Sequence, residues 1–212
     1  MFDDGHVGFA RAREQTAVSS LREVAGKVAP VVLAGDQTLP VRPELAALFP
    51  GGALRRGTVV SVVGSTSLLL ALLAGPSGAG SWTAVAGLPA LGAVAAAEAG
   101  IDLGRCALVP DPGPAWPTVV AALLDAIDVV AIGAGLRVRA ADARRLAARA
   151  RERGSVLVVA GPWEGADVRL SVASSTWSGL GRGHGRLCGR TLEVVGGGRG
   201  AAARQRHVSV QW

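Results

Sequence analysis

The sequence predicts an α/β protein, with a mainly parallel sheet covered by helices on both faces, an N-terminal helix ahead of it and antiparallel strands added at its C-terminal edge. Three observations carry this expectation. Between Thr58 and Ala160, short apolar runs rich in β-branched residues alternate with helix-length segments, the pattern of successive βαβ units. The runs are apolar almost throughout, as strands buried on both faces are. After Pro162 the texture changes to short, partly alternating runs joined by glycine-rich loops.

The elements follow in order. In Phe9 to Ala29, Ala17, Leu21, Val24 and Val28 share one helical face while Arg11, Arg13, Glu14, Arg22 and Glu23 lie elsewhere, and Pro30 ends the segment. This amphipathic helix is either an arm that packs on a neighbouring molecule or one folded back on its own domain. A loop-rich stretch (Gly35, Asp36, Gln37, Pro40, Pro43) separates it from a short helical turn at Leu45 to Pro50 and the pair Gly51, Gly52. Strands are then expected at Thr58–Val63, Trp82–Ala86, Cys106–Val109, Val129–Ile132 and Val156–Ala160. Helices are expected at Thr66–Ala74, Ala90–Ala99, Pro117–Ala126 and Ala140–Arg153. Val168–Val172, Leu187–Val195 and Arg206–Gln211 complete the chain as antiparallel edge strands. The organisation is thus an N-terminal helix and linker over 1–44, and one domain over 45–212 whose α/β core spans 45–161 and whose edge strands span 162–212.

Composition narrows the function classes. The 212 residues are 50% hydrophobic, enough for a sizeable core, and the net charge is +6. Lys27 is the only lysine among 22 basic residues, so nearly all the positive charge is arginine. Such a balance suits a nucleic acid or an acidic protein partner, although an Ala/Gly/Arg/Val-rich composition is also what a GC-rich genome produces. The excess is concentrated late: from Val168 onward stand Arg169, Arg182, Arg186, Arg190, Arg199, Arg204 and Arg206 against the single acid Glu193. Cys106 and Cys188 are too few and too far apart for a zinc site or a disulfide framework, which points to the reducing cytoplasm. The acidic start at Asp3 and Asp4 is unlike a signal peptide, and the longest apolar runs are too short to cross a bilayer.

The stretch Ala53 to Gly75 has the layout of a nucleotide-binding strand and helix without its chemistry. Arg55, Arg56 and Gly57 lead into Thr58–Val63, and Gly64, Ser65, Thr66 and Ser67 form a degenerate loop that passes straight into leucines. A phosphate-binding loop needs glycines that let backbone N–H groups wrap the phosphates, a lysine reaching them and a hydroxyl on magnesium. A second glycine cluster, Gly75 to Gly80, is followed by Ser81 and Trp82 where lysine and Ser/Thr should stand. A strand-to-helix turn and a helix-to-strand loop account for both clusters. No nucleotide, metal or other cofactor is expected, and no catalytic residue.

Other candidates are weaker. His6, His184 and His207 are scattered, and Gly196 to Gly200 lacks the helix a dinucleotide fingerprint requires. Asp111, Asp125, Asp128 and Asp142 show no paired spacing. In Ala140–Arg153 the residues Ala143, Leu146, Ala147 and Ala150 line an inward face and leave the arginines outward, a solvated face. Gly181 to Arg186 reads as a solvated hairpin end with basic residues that reach phosphates in a DNA-binding reading. Trp177, in the small-residue loop Ser174 to Gly179, reads first as a core-packing residue and second as a stacking platform for bases. Trp212 is expected to be exposed, meeting a partner pocket or closing a final edge strand.

The order of these elements, and the lead-in Leu48, Phe49, Pro50, Gly51, Gly52, Ala53, Leu54 through Arg56 and Gly57 into the first strand, resemble the RecA-like recombinase core over about Leu45 to Gly161. Within it the chain is identified as similar to the ImuA family, RecA-like accessory proteins of the bacterial mutasome, in their short actinobacterial form. The resemblance implies a non-catalytic partner in damage-induced translesion synthesis, acting with an ImuB-like Y-family polymerase relative and an error-prone replicative-type DNA polymerase. Three departures from an active recombinase agree with this. The Walker A lysine has no counterpart, Leu88 stands near the place of the water-activating glutamate, and Gly133 follows Ile132 where a magnesium-organising aspartate belongs. The expected contacts with partner or DNA are Leu21, Val24, Val28, Trp177, Arg182, Arg186 and Arg190. Rival readings are a SulA-like cell-division inhibitor, a sequence-independent DNA binder, and an atypical ATPase using Arg55 or Arg56.

Overall fold

The computed structural model describes residues 37–181 and 184–212. The helix expected over Phe9 to Ala29, with Leu21, Val24 and Val28, lies outside the described residues, as does the Arg182 side chain. The described residues all lie within one compact unit, Gly35–Trp212.

The chain begins its described part with β1 (Thr38–Pro40), inside the stretch read from sequence as linker, which pairs antiparallel with β2 (Ala53–Arg55) as a small separate sheet. Pro43–Leu48 and Pro50–Gly52 are single 3-10 turns between them; Gly51 and Gly52 adopt positive φ, which side-chain-bearing residues resist. The main elements are β3 (Val59–Val63), α1 (Thr66–Gly78), β4 (Thr83–Ala86), α2 (Ala93–Glu98), β5 (Cys106–Val109), α3 (Trp116–Ala126), β6 (Val129–Ile132), α4 (Ala140–Arg153) and β7 (Val156–Ala160). The chain closes with β8 (Val168–Leu180), β9 (Gly185–Gly198) and β10 (Arg206–Gln211).

Eight strands make one sheet in the order β10-β9-β8-β3-β7-β6-β4-β5. All pairs from β8 to β5 are parallel, while β9 runs antiparallel to β8 and β10 antiparallel to β9. The expectation of three antiparallel edge strands therefore needs correction at β8. The connection from β7 crosses β3 and sets β8 down parallel beside it, where two bonds between Val59 and Asp167 pin its start: Val59 donates to the Asp167 carboxylate, and the Asp167 N–H donates back to the Val59 carbonyl.

Alternation along the strands divides the core in two. Val60, Val62, Val85, Val129, Ala131, Val156 and Val158 face α1 and α2; Val59, Ala84, Ala86, Val130, Ile132, Leu157 and Val159 face α3 and α4. This is the arrangement that right-handed crossovers in both directions from a central strand produce. Trp116 and Trp163 are buried in the second layer.

Helix α1 is unusual in being buried all round. Leu68 to Ala74 are each at most 7% exposed. One face lies on the sheet, and another is covered by the β1 segment so closely that a Cβ on Gly75 would stand 2.7 Å from the Pro40 carbonyl oxygen. The second glycine cluster is thus not wholly the loop read from sequence, because Gly75 to Gly78 continue α1 and Gly75 gives the backbone of β1 its approach. The leucines contribute roughly 2 kcal/mol each by burial.

On the opposite face, α3 and α4 are tied by charge. Arg149 donates through two nitrogens to Asp125, one of them at 2.8 Å, and Arg153 adds a third bond at 3.2 Å. The Arg149 hydrogen bonds, and then its charge and that of Arg153, hold the Asp125 carboxyl below its usual range. A carboxylate whose folded pKa is depressed stabilises the protein above its unfolded titration range and loses that contribution as pH falls through the folded value. Asp125→Asn is expected to lower the urea midpoint at neutral pH, and the gap from wild type should close as the pH drops below the ordinary carboxylate range.

Candidate functional site

The ends of β3, β4, β6 and β7 converge where an open parallel sheet ordinarily receives ligands, outside the carboxyl ends of its strands. The residues there are Gly64, Gly87, Gly133 and Gly161, each directly after a strand. Gly64 takes φ +93°, and only Ser65 separates it from the first residue of α1. A two-residue link has no length to wrap a phosphate. Ser65 is the helix N-cap, with its Oγ accepting the Leu68 N–H at 3.1 Å, so one amide of the helix N-terminus that an anion would use is already bonded.

The rest of this end is filled by apolar groups. The Gly133 Cα lies so near the Gly87 carbonyl that a Cβ would stand 1.9 Å from its oxygen, and the Leu136 side chain lies over Gly87. Leu88 is half-buried against the first core layer, where the sequence comparison with active recombinases would place a general base. A cavity of about 340 Å³ at the start of α1 is lined by Thr66, Ser67, Leu70, Leu88, Leu91 and Ala95 among others, with no cationic side chain.

Charge sits at the other end of the sheet. Arg56 binds Asp128 at 2.8 Å and the Gly154 carbonyl, and Asp128 also accepts the Trp82 N–H at 3.0 Å. Arg56 is thus about 17 Å, the length of β3, from Gly64, too far to serve a phosphate there as the atypical ATPase reading requires. Asp111 caps its own turn through the Gly113 N–H, Asp142 pairs with Arg145, and among the described residues no three His, Cys, Asp or Glu side chains gather as metal ligands.

Of the predicted contact residues, Trp177, Arg186 and Arg190 fall on a ribbon formed by β8 and β9, while Leu21, Val24, Val28 and Arg182 lie outside the described residues. The segment Ser174 to Gly179 is strand, not loop, and Trp177 is 53% exposed, which corrects its reading as a core residue. Trp177 lies directly opposite Arg190, whose guanidinium stacks over the indole at 5.0 Å and donates to Ser175 Oγ. Arg190 also reaches Ser67 of α1 at 3.5 Å, so the degenerate loop and the ribbon meet through this one arginine. Arg186 is exposed on the same strand, near the hairpin end expected from sequence. Trp212 is not fully exposed. It continues β10 through paired backbone bonds with Arg190, packs on the first core layer and lies under the Arg42 guanidinium at 5.3 Å.

Sequence reasoning missed Arg42, Leu187, Glu98 and Ala95, which join Trp177, Arg190 and Trp212 around a groove of about 540 Å³ between the ribbon, α1 and α2. The apolar run Ala93 to Ala97, exposed except at Ala96, was the available signal, since a surface helix ordinarily carries polar residues on its outer face.

Two substitutions test this geometry. Ser65→Ala, by removing the cap of a helix buried on every side, is expected to cost about 1 kcal/mol in urea denaturation. Gly133→Ala forces two backbones apart and is expected to cost about 3 kcal/mol in the same measurement.

Comparison with known proteins bears on the family. A relative, the uncharacterized protein Rv3395c of Mycobacterium tuberculosis, is 40% identical over 163 residues, covering 72% of this chain and 80% of its own. The crystal structure of SulA from Pseudomonas aeruginosa aligns with a TM-score of 0.38 and 18% identity, covering 49% of this chain and 98% of that one. Residues 47–165, more than half of the chain and most of the α/β core, match the family described as MT3502 N-terminal domain, and the protein therefore belongs to that family.

Proposed function

We propose that the protein is a non-catalytic RecA-like accessory protein of damage-induced translesion synthesis, a cytoplasmic scaffold that binds an ImuB-like Y-family polymerase relative within a complex containing an error-prone replicative-type DNA polymerase. The RecA-like part of the reading is supported by a parallel core with helices on both faces, approached through the Leu48 to Gly57 lead-in. The observation that carries the non-catalytic part is the link Gly64–Ser65. It is too short to hold phosphates, it uses its own hydroxyl to cap α1, and the cavity beside it is lined by leucines and small residues with no cationic side chain. Transfer of a phosphoryl group rests almost wholly on positioned charge, and Arg190, which reaches Ser67 beside the link, is already engaged with Trp177 and Ser175.

Scaffolding follows from what remains. A fold with an unequipped ligand end still offers surfaces, and the exposed β8–β9 ribbon is the most distinctive of them.

The test is affinity purification of the tagged protein from nuclease-treated extracts of DNA-damaged cells, alongside equilibrium dialysis with magnesium and ATP. A polymerase-like protein recovered in stoichiometric amount, with no nucleotide retained at millimolar concentration, is the expected outcome. Saturable nucleotide binding, or a preparation with no polymerase-like protein, overturns the reading.

A further inference from the structure

The ribbon carries a surface that its own fold leaves uncovered. Pairing between β3 and β8 stops at Val63 and Ser171, yet β8 runs on to Leu180, roughly 30 Å further, with Ala173 to Leu180 all exposed. Among the described residues no strand lies beside this edge, and an open strand edge is a template for pairing with another chain.

The side chains on the ribbon are not those of a solvated hairpin. Trp177, Leu180 and Leu187 are 53%, 65% and 50% exposed, on a two-stranded structure that has little stability of its own in water. Nearby on α2, Val94 is 71% exposed. Aliphatic side chains such as Leu180 and Leu187 offer no stacking face to a base but do complement apolar side chains, which favours a protein over a nucleic acid. Charge defines that protein further. No acidic residue occurs between Ser174 and Thr191, Arg186 and Arg190 stand on the ribbon, and Arg42 stands across the groove; Glu98 is the one acid lining it.

From this juxtaposition we infer that the free edge of β8 and the groove beside it are the docking site for an extended, acidic and apolar segment of a protein partner. The segment adds as a strand to β8, sets alternate apolar side chains against Trp177 and Leu187, and turns its carboxylates toward Arg186 and Arg42. The inference rests on the scaffold reading and gives it a surface and a ligand chemistry.

The experiment places the photo-reactive residue benzoylphenylalanine at Leu187 of the full chain in damaged cells, with the same residue at Leu103 as the control surface. Cross-linked peptides are sequenced. Covalent capture of a net-acidic, apolar segment at Leu187 and not at Leu103 is expected. Arg186→Glu should cut the yield about tenfold while Arg186→Lys retains it. Capture of a basic segment or of nucleic acid, or a yield no greater than at Leu103, overturns the inference. An unchanged thermal midpoint confirms that Arg186→Glu still folds. If the wild-type protein still co-purifies a polymerase-like partner while Leu187 captures nothing, only the ribbon assignment falls. If no polymerase-like partner co-purifies, the scaffold reading falls instead.

Discussion

The structure depends on the burial of helix α1. Its leucines are turned in every direction, so it is stable only when the sheet covers one side and the β1 segment and α2 cover the others. That requirement explains otherwise unrelated features. Gly75 is needed because a backbone passes where its side chain would be, Ser65 caps the helix start by accepting the Leu68 N–H, and the small β1–β2 sheet serves as a cover.

A helix so enclosed has consequences for chemistry. In a phosphate-binding protein the first turn after the first strand stays open and its amides point at the ligand. Here the same position is tightened to two residues, its donor is capped, and the adjacent strand ends close over it with Leu88, Leu136 and the touching backbones of Gly87 and Gly133. At the far end Arg56 and Asp128 bond the starts of β3, β4 and β6 to one another and to the end of α4. This end of the sheet serves packing, and exposed Trp177, Leu180, Arg186 and Leu187 stand on the ribbon.

Much of this was legible in the sequence, for identifiable reasons. The strands β5, β6, β7 and β10 and the helix α4 fall on their expected residues because each run has a recognisable pattern: continuous apolar residues in β5, β6 and β7, alternation in β10, and Ala143, Leu146 and Ala150 at helical spacing among arginines in α4. The missing lysine and the two missing acids are matters of residue type and need no structure. Three features were not legible. Gly75 reads as a loop because glycine is a poor helix former, but the close approach of β1 requires glycine inside the helix there. Ser174 to Gly179 read as a loop because small residues break no pattern, but pairing with β9 extends it. Trp177 read as core because tryptophan usually is, but the ribbon has run past the sheet that would have buried it.

The sequence alone therefore determined the alternation of elements and the absence of the charged groups that phosphoryl chemistry needs, because periodicity and residue type are local properties. Tertiary structure decided the rest. The parallel placement of β8, the closing of the strand ends over the Gly64–Ser65 link, and the meeting of Arg42, Ser67, Trp177, Arg190 and Trp212 around one groove all join residues far apart in the chain. Such contacts are set by which faces the sheet order brings together, and no pattern within a window of sequence encodes that order.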